Sequence, residues 1–284
     1  LPETVREAVG DRPLVRLSLE VAGEPTAWSN PDAPPTVSIP YETSEEELQN
    51  PEAITVWYID GEGNVAAVPS GRYDASAGTV TFTVSRFGEY AVVYAEKSFN
   101  DLGSVPWARK QIEALASKGI IKGTSLSTFS PSANVTRADF LVLLVRTLGL
   151  SAKEVGTFVD VLPSDYFHDA VGIAESLGIT NGVDGRRFDP RSSITRQDMM
   201  VLAARALKLV EKLPSPSLPE AMLPDSTVLD GFADASAVSP YAVDSVASLV
   251  AAGLIGGDNG RINPTGNTTR AEAAVFLYRV YNLR

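Results

Sequence analysis

The sequence contains no cysteine and a single histidine, His168. The first absence excludes disulfides and thiol chemistry, and it is neutral on compartment. The second excludes a multi-histidine metal site. Long apolar runs are also missing. A run such as Phe140 to Val145 is far short of the roughly 20 residues that span a bilayer, so no membrane insertion is expected. No basic stripe is present and the formal net charge is −11, so no nucleic-acid partner is expected. Leu1-Pro2-Glu3-Thr4 shows no basic start followed by an apolar stretch, and no initiator Met precedes it. The chain therefore reads as a piece of a longer precursor.

What is present is unevenly distributed. Residues 1–97 hold 16 acidic and 6 basic side chains, a net −10, whereas residues 98–284 hold 19 and 18, a net −1. The acidic part reads as β-structure after a short helix over Leu1 to Val9. Val15, Leu17, Leu19 and Val21 alternate with polar residues, and Thr79 to Val84 alternates cleanly. Ile54 to Ile59 leads through the turn signal Asp60-Gly61-Glu62-Gly63-Asn64 into Val65 to Val68, and Tyr90 to Tyr94 closes the region. Pro31, Pro34, Pro35 and Pro40 predict an irregular link, and Glu45-Glu46-Glu47 a solvated helix start. Short strands between Gly, Asn, Asp and Pro predict an antiparallel β-sandwich.

From Ser98 the texture becomes helical and repeats three times. Each unit opens with Phe-x-Asp (Phe99 to Asp101, Phe158 to Asp160, Phe232 to Asp234), followed by an aromatic: Trp107, Tyr166 or Tyr241. An amphipathic helix follows and ends in Gly-x-x-x-Gly, at Gly119 and Gly123, Gly178 and Gly182, Gly253 and Gly257. From aromatic to first glycine the spacing is 12 residues in all three. A loop then carries Phe129-Ser130-Pro131, Phe188-Asp189-Pro190 or Ile262-Asn263-Pro264. A helix start and a second, more apolar helix complete the unit: Phe140 to Leu148, Met199 to Leu207 and Ala273 to Tyr281. Three helix–loop–helix units that cannot each bury a face alone are expected to share one core around a pseudo-threefold axis. Leu213 to Pro219 is a Pro-rich linker between the second and third units.

The second helices start oddly. Thr136-Arg137-Ala138-Asp139, Thr195-Arg196-Gln197-Asp198 and Thr269-Arg270-Ala271-Glu272 resemble capping boxes, yet each puts an arginine in the first turn. A cation there opposes the helix dipole by a few tenths to about 1 kcal/mol. Free N–H groups at a helix start attract an anion, and an arginine beside them offers a planar fork for a carboxylate.

These landmarks resemble the S-layer homology (SLH) motif, and three in tandem resemble a complete SLH domain from Ser98 to Arg284. Val84 to Tyr94 and Val56 to Asn64 more loosely resemble the β-sandwich module that precedes such motifs in bacterial surface proteins. The resemblance implies a pseudo-trimer with a central helix bundle. It implies binding of an anionic, often pyruvylated, secondary cell-wall polysaccharide in grooves between motifs, and so non-covalent anchoring in the extracellular wall or surface layer. The expected divisions are 1–97 for the β module and 98–156, 157–229 and 230–284 for the three motifs.

On that resemblance Arg137, Arg196 and Arg270 each hold a ketal carboxylate; the alternative is pairing with a nearby Asp. Asp101, Asp160 and Asp234 cap the first helix, pair with an arginine or touch sugar hydroxyls. Trp107, Tyr166 and Tyr241 stack on a sugar or pack between repeats. The family usually has Trp at the aromatic position and Ala where Gln197 stands, so units two and three depart from the pattern. Gly119, Gly178 and Gly253 fit helix ends needing positive φ. Gly123, Gly182 and Gly257 fit close approach of the backbone to a ligand. His168 reads as a surface histidine. Asp60 to Asn64 and Asp258-Asn259-Gly260 read as turns, without the ligand ladder of a calcium loop. No cofactor, metal or catalytic residue is expected, and the chain is read as non-enzymatic. The alternatives are self-assembly with neighbouring surface-layer subunits and, from a different class, a glycan-active enzyme fragment.

Overall fold

The computed structural model describes residues 1–26, 34–153, 156, 158–213 and 226–283. The chain divides into two compact units, Leu1–Phe129 and Ser130–Arg284. The division lies well after the change of texture at Ser98, so the first helix of the first motif packs with the β-structure.

In the first unit, helix α1 (Glu3–Val9) precedes the strands. A four-stranded antiparallel sheet has the order β1 (Leu14–Leu17), β9 (Gly88–Tyr94), β5 (Ile54–Ile59), β6 (Val65–Val68). A three-stranded antiparallel sheet has the order β4 (Thr36–Pro40), β8 (Thr79–Thr83), β7 (Arg72–Asp74). Ile39, Ile54, Val56, Val80, Phe82, Tyr90 and Val92 form one core from strands of both sheets. The opposite faces of β5 and β9 bury Ile59, Ala91 and Val93 under Val5 and Val9 of α1. Both faces of these strands are thus covered, which explains why they read as apolar runs rather than as alternation.

The alternating stretch from Val15 to Val21 forms two strands. β1 ends at Leu17, and β2 (Leu19–Val21) pairs with β3 (Glu24–Thr26) in a separate hairpin. Pro40 does not belong to an irregular link: it ends the edge strand β4, where a missing N–H costs no ladder bond. Pro31 lies outside the described residues, as do Pro214 to Pro219 of the expected linker. Glu47 is not solvated but 3% exposed. It accepts from Arg12 Nε at 2.8 Å and Tyr41 Oη at 2.7 Å, and it closes a reciprocal cap with Ser44. The Asp60 turn is as expected: its carboxylate takes the N–H groups of Glu62 and Asn64.

Helix α2 (Arg109–Ser117) is held in this unit by Lys118 at its C-terminal end, whose ammonium donates to the Ile54 carbonyl, and by the Lys110–Glu52 pair at 3.7 Å.

The second unit holds α3 (Arg137–Leu148), α4 (His168–Ser176), α5 (Arg196–Leu209), α6 (Val243–Ala251) and α7 (Arg270–Tyr281). α3 packs against α4, α5 and α7, and α5 against α6. The apolar second helices of the repeat are buried as expected: Phe140, Leu141 and Leu144 on α3, Met200 and Ala203 on α5, Ala273 and Leu277 on α7. Just before the starts of these three helices the chain meets itself in a closed ring. Val135 N donates to Thr268 O (2.9 Å), Thr268 N to Ile194 O (3.0 Å), and Ile194 N to Val135 O (3.0 Å).

Candidate functional site

Each helix start is built in the same way. Thr136, Thr195 and Thr269 are extended N-caps whose hydroxyls accept from the N–H of Asp139, Asp198 and Glu272. The free N–H groups expected at these starts are not free. Arg137 N and Ala138 N donate to the carbonyls of Ser192 and Pro190; Arg196 N and Gln197 N donate to Gly266 and Pro264; Arg270 N and Ala271 N donate to Ala133 and Pro131. The loop of a neighbouring repeat takes the place of an anion.

The arginines follow the same logic. Arg137 Nε donates to Phe188 O at 3.1 Å, and its Nη1 lies 3.9 Å from Asp198. Arg196 Nε donates to Ile262 O at 2.8 Å and its Nη1 to Glu272 at 2.9 Å. Their side chains are only 11% and 13% exposed. Of the two roles weighed for these residues, pairing with an acid is therefore present, although the acid is the capping residue of the next repeat and not the Phe-x-Asp carboxylate. The dipole penalty is offset because each cation faces that carboxylate and a carbonyl instead of water.

The Phe-x-Asp carboxylates clamp loops. Asp160 accepts from the N–H of Phe188 and Asp189, both at 2.8 Å, and Asp234 from Ile262 and Asn263, both at 2.8 Å. Asp101 accepts from Phe129 N at 2.9 Å. None of the three caps the first helix, whose N-cap residues are Ala108, Phe167 and Ala242. The clamped loops need help because Ser130, Asp189 and Asn263 all adopt positive φ, near +55° to +60°. Burial works against charge on Asp234, but the two backbone donors outweigh it and hold its carboxyl below the usual range.

The glycines divide into two groups. Gly119, Gly178 and Gly253 have φ of +67° to +70° just past the first helices, as a helix-ending turn requires. At Gly123, Gly182 and Gly257 the close approach is to the protein itself. A Cβ on Gly182 would lie 2.3 Å from Arg187 O and 2.7 Å from the Phe158 ring, and one on Gly257 would meet Arg261 O and Phe232.

The aromatics are not packed between repeats: Trp107, Tyr166 and Tyr241 are 55%, 72% and 59% exposed. Two of them are tethered at the tip. Tyr166 donates its hydroxyl to Asp139, and Tyr241 donates to Asp198 at 2.7 Å. Partial burial, together with the hydrogen bond to a carboxylate, pushes both phenols up to about 12. Each of these two tyrosines thus presents an exposed ring tied to the capping carboxylate of a helix start whose arginine is largely buried. Gln197 joins Tyr241 to the start of α5. Its amide donates to Ser239 Oγ (3.0 Å) and Tyr241 Oη (3.1 Å) and accepts from Ser239 N.

His168 opens α4, half-buried and paired with Asp169 at 3.0 Å. Asp258 and Arg261 close a two-residue hairpin over Asn259-Gly260, both at positive φ. Among the described residues no group of three or more potential ligands could hold a metal. No helix there is long and apolar enough to cross a membrane. Sequence reasoning gave Asp139, Asp198 and Glu272 a capping role only; their further partnership with arginine and tyrosine joins residues about 30 to 75 positions apart and leaves no local signal.

Comparison with known proteins agrees with the repeat. The S-layer homology domain family matches residues 98–141, 157–200 and 231–274. The chain is 33% identical over 234 residues to an amylopullulanase of Thermoanaerobacterium thermosulfurigenes, which covers 82% of this chain and 12% of that protein. That share exceeds the segment from Ser98 onward, so the likeness reaches into the β module. It is 32% identical over 183 residues to exoglucanase XynX of Acetivibrio thermocellus (64% of this chain, 16% of that protein). It is 26% identical over 212 residues to the surface-layer 125 kDa protein of Lysinibacillus sphaericus (73% and 17%). The chain spans less than a fifth of the length of each of these relatives. The segment from Ser98 to Ala274 therefore belongs to the S-layer homology family, as three motifs in tandem behind a β-rich module.

Proposed function

We propose that this chain anchors a surface protein to the bacterial cell wall by binding an anionic, pyruvylated secondary wall polysaccharide in the grooves between motifs. S-layer homology domains mediate wall anchoring of surface proteins, and the relatives include both surface-layer proteins and glycosidases that carry the motif. Motifs shared by proteins of such different activity favour a common attachment role over catalysis, and any catalysis of the whole protein is assigned outside this chain. In this reading the three motifs form a pseudo-threefold trimer around a central bundle of α3, α5 and α7. The closed ring through Val135, Ile194 and Thr268 supports that arrangement.

The observation that carries the reading is the exposed tyrosine ring tied to the capping carboxylate at two of the three helix starts, Tyr166 at Asp139 and Tyr241 at Asp198. A ring fixed at its tip by a carboxylate has little conformational freedom to lose when a sugar stacks on it. Arg137, Arg196 and Arg270 supply the positive charge, and a ligand carboxylate would share Arg137 with Asp198 and Arg196 with Glu272. Asp101, Asp160 and Asp234, with the six glycines, shape the loops that border the grooves. The acidic β module adds no attraction for an anionic polymer and acts as a spacer.

Tyr166→Ala and Tyr241→Ala test this on polymer-bearing wall sacculi. Both side chains are exposed, so thermal melting should hold to within a few degrees while binding weakens by about tenfold. Unchanged binding in both variants would remove the grooves from the account.

A further inference from the structure

The first helices of the three repeats carry different surfaces. Residues 109–118 hold three basic side chains and one acidic, a net +2. The equivalent residues 168–177 hold two acidic side chains and no Lys or Arg, a net −2, and 243–252 hold one acidic, a net −1. Three residues past the aromatic stands Lys110, where the other repeats have Asp169 and Asp244. Directly before the first glycine stands Lys118, where they have Leu177 and Ala252. The basic helix is the one that shares a compact unit with the acidic β module, whose residues 1–97 sum to −10.

Burial differs in the same way. Ser117 and Lys118 are each 4% exposed. Of their equivalents, Leu177 is half-buried, and Ser176, Ala251 and Ala252 are exposed. What covers the end of α2 is the β module. The Lys118 ammonium donates to the Ile54 carbonyl of β5, and Lys110 pairs with Glu52 at 3.7 Å. A Cβ on Gly119 would lie 2.6 Å from that of Ala67 on β6, whereas Gly178 and Gly253, both at φ of +70°, have nothing within 4 Å.

We propose that the first helix of the first repeat is a dedicated docking face for the acidic β module, and that the two fold as one cooperative unit. Opposite charge brings the faces together, and the close contact of Gly119 with Ala67 fixes their register. A buried ammonium is costly unless it is hydrogen-bonded, so Lys118 suits a face that offers a carbonyl at that point. The β module is thereby a structural part of the first motif as well as a spacer. Trp107 stands two residues before α2, and an indole has no hydroxyl to be held as those of Tyr166 and Tyr241 are, so docking of α2 sets the place of this exposed ring. That consequence for binding rests on the anchoring reading above; the docking does not.

The test is hydrogen exchange of the whole chain, read peptide by peptide. It needs no wall polymer, so its failure and that of the anchoring reading are told apart. Ala67→Leu adds bulk on the β side alone and should speed exchange across α2 by about tenfold, while α4 and α6 keep their rates. Gly119→Ala should speed exchange in α2 more than Gly178→Ala does in α4 or Gly253→Ala in α6, because positive φ is common to all three and the contact with Ala67 is not. Ala67→Gly combined with Gly119→Ala should remove that excess. Unchanged exchange of α2 in Ala67→Leu, equal effects of the three glycine substitutions, or no recovery in the double variant would each overturn the proposal.

Discussion

Lys118 gives the first unit an unusual pH dependence. The residue is 4% exposed at the end of α2, with its ammonium on the Ile54 carbonyl and Arg72, Glu52 and Lys110 as charged groups nearby. Burial, reinforced by Arg72 and opposed by Glu52, lowers its pKa to about 7, against an ordinary value of about 10.4. Between those two values the unfolded chain holds a proton that the folded chain has released. Stability must then rise with pH, with a slope approaching about 1.4 kcal/mol per unit. Below pH 7 both states carry the proton and this slope disappears. The raised phenols of Tyr41 and Tyr94 and the lowered carboxyls of Glu47 and Glu96 titrate outside the window from pH 7 to 9. Trp57 on β5 and Trp107 both belong to this unit, so tryptophan fluorescence reports on its unfolding. Urea unfolding at pH 6, 7, 8 and 9 should show a midpoint that climbs from pH 7 upward in the parent. In Lys118→Met the climb should vanish. A flat or falling midpoint in the parent, or the same climb in the variant, would refute the reasoning.

Two further substitutions check the architecture of the repeats. Gly182→Ala should cost roughly 3 kcal/mol or more by melting, because positive φ and contact with Arg187 O and the Phe158 ring add together. Gly185→Ala, at similar φ but with open space around it, should cost about 1–2 kcal/mol. Thr268→Val should stabilise the second unit by about 1 kcal/mol: Thr268 is fully buried, its hydroxyl has no hydrogen-bond partner among the described residues, and Val135 and Ile194 fill the equivalent places. A loss of stability on that change would mean the hydroxyl has a partner after all.

Much of this was legible from residue order. The threefold recurrence of Phe-x-Asp, Gly-x-x-x-Gly and Thr-Arg located the helices, because each landmark does local work: Thr136 caps, Gly178 ends a helix. What local pattern could not show is where neighbouring repeats meet. Arg137 reaches Phe188 O across 51 positions and Arg196 reaches Glu272 across 76. A sequence window sees only a cation at a helix start and infers an absent anion, while the folded chain supplies both the carboxylate and the carbonyl. Gly182 misled in the same way, since its close approach is to Phe158 rather than to a ligand. In the β module, Glu47 looked solvated because Arg12 and Tyr41, which bury it, lie 35 and 6 residues away. Gln197 and Tyr241 were visible in advance as departures from the repeat, and they bond to each other in the folded chain.

The central claim is attachment to the wall through its secondary polymer. Co-sedimentation of this chain with sacculi that carry the polymer, and with sacculi stripped of it, tests that claim most directly, at two salt concentrations. Binding only to the unstripped sacculi, weaker at the higher salt as charge recognition requires, is the result expected. Equal binding to both would place the target in the peptidoglycan and contradict the account.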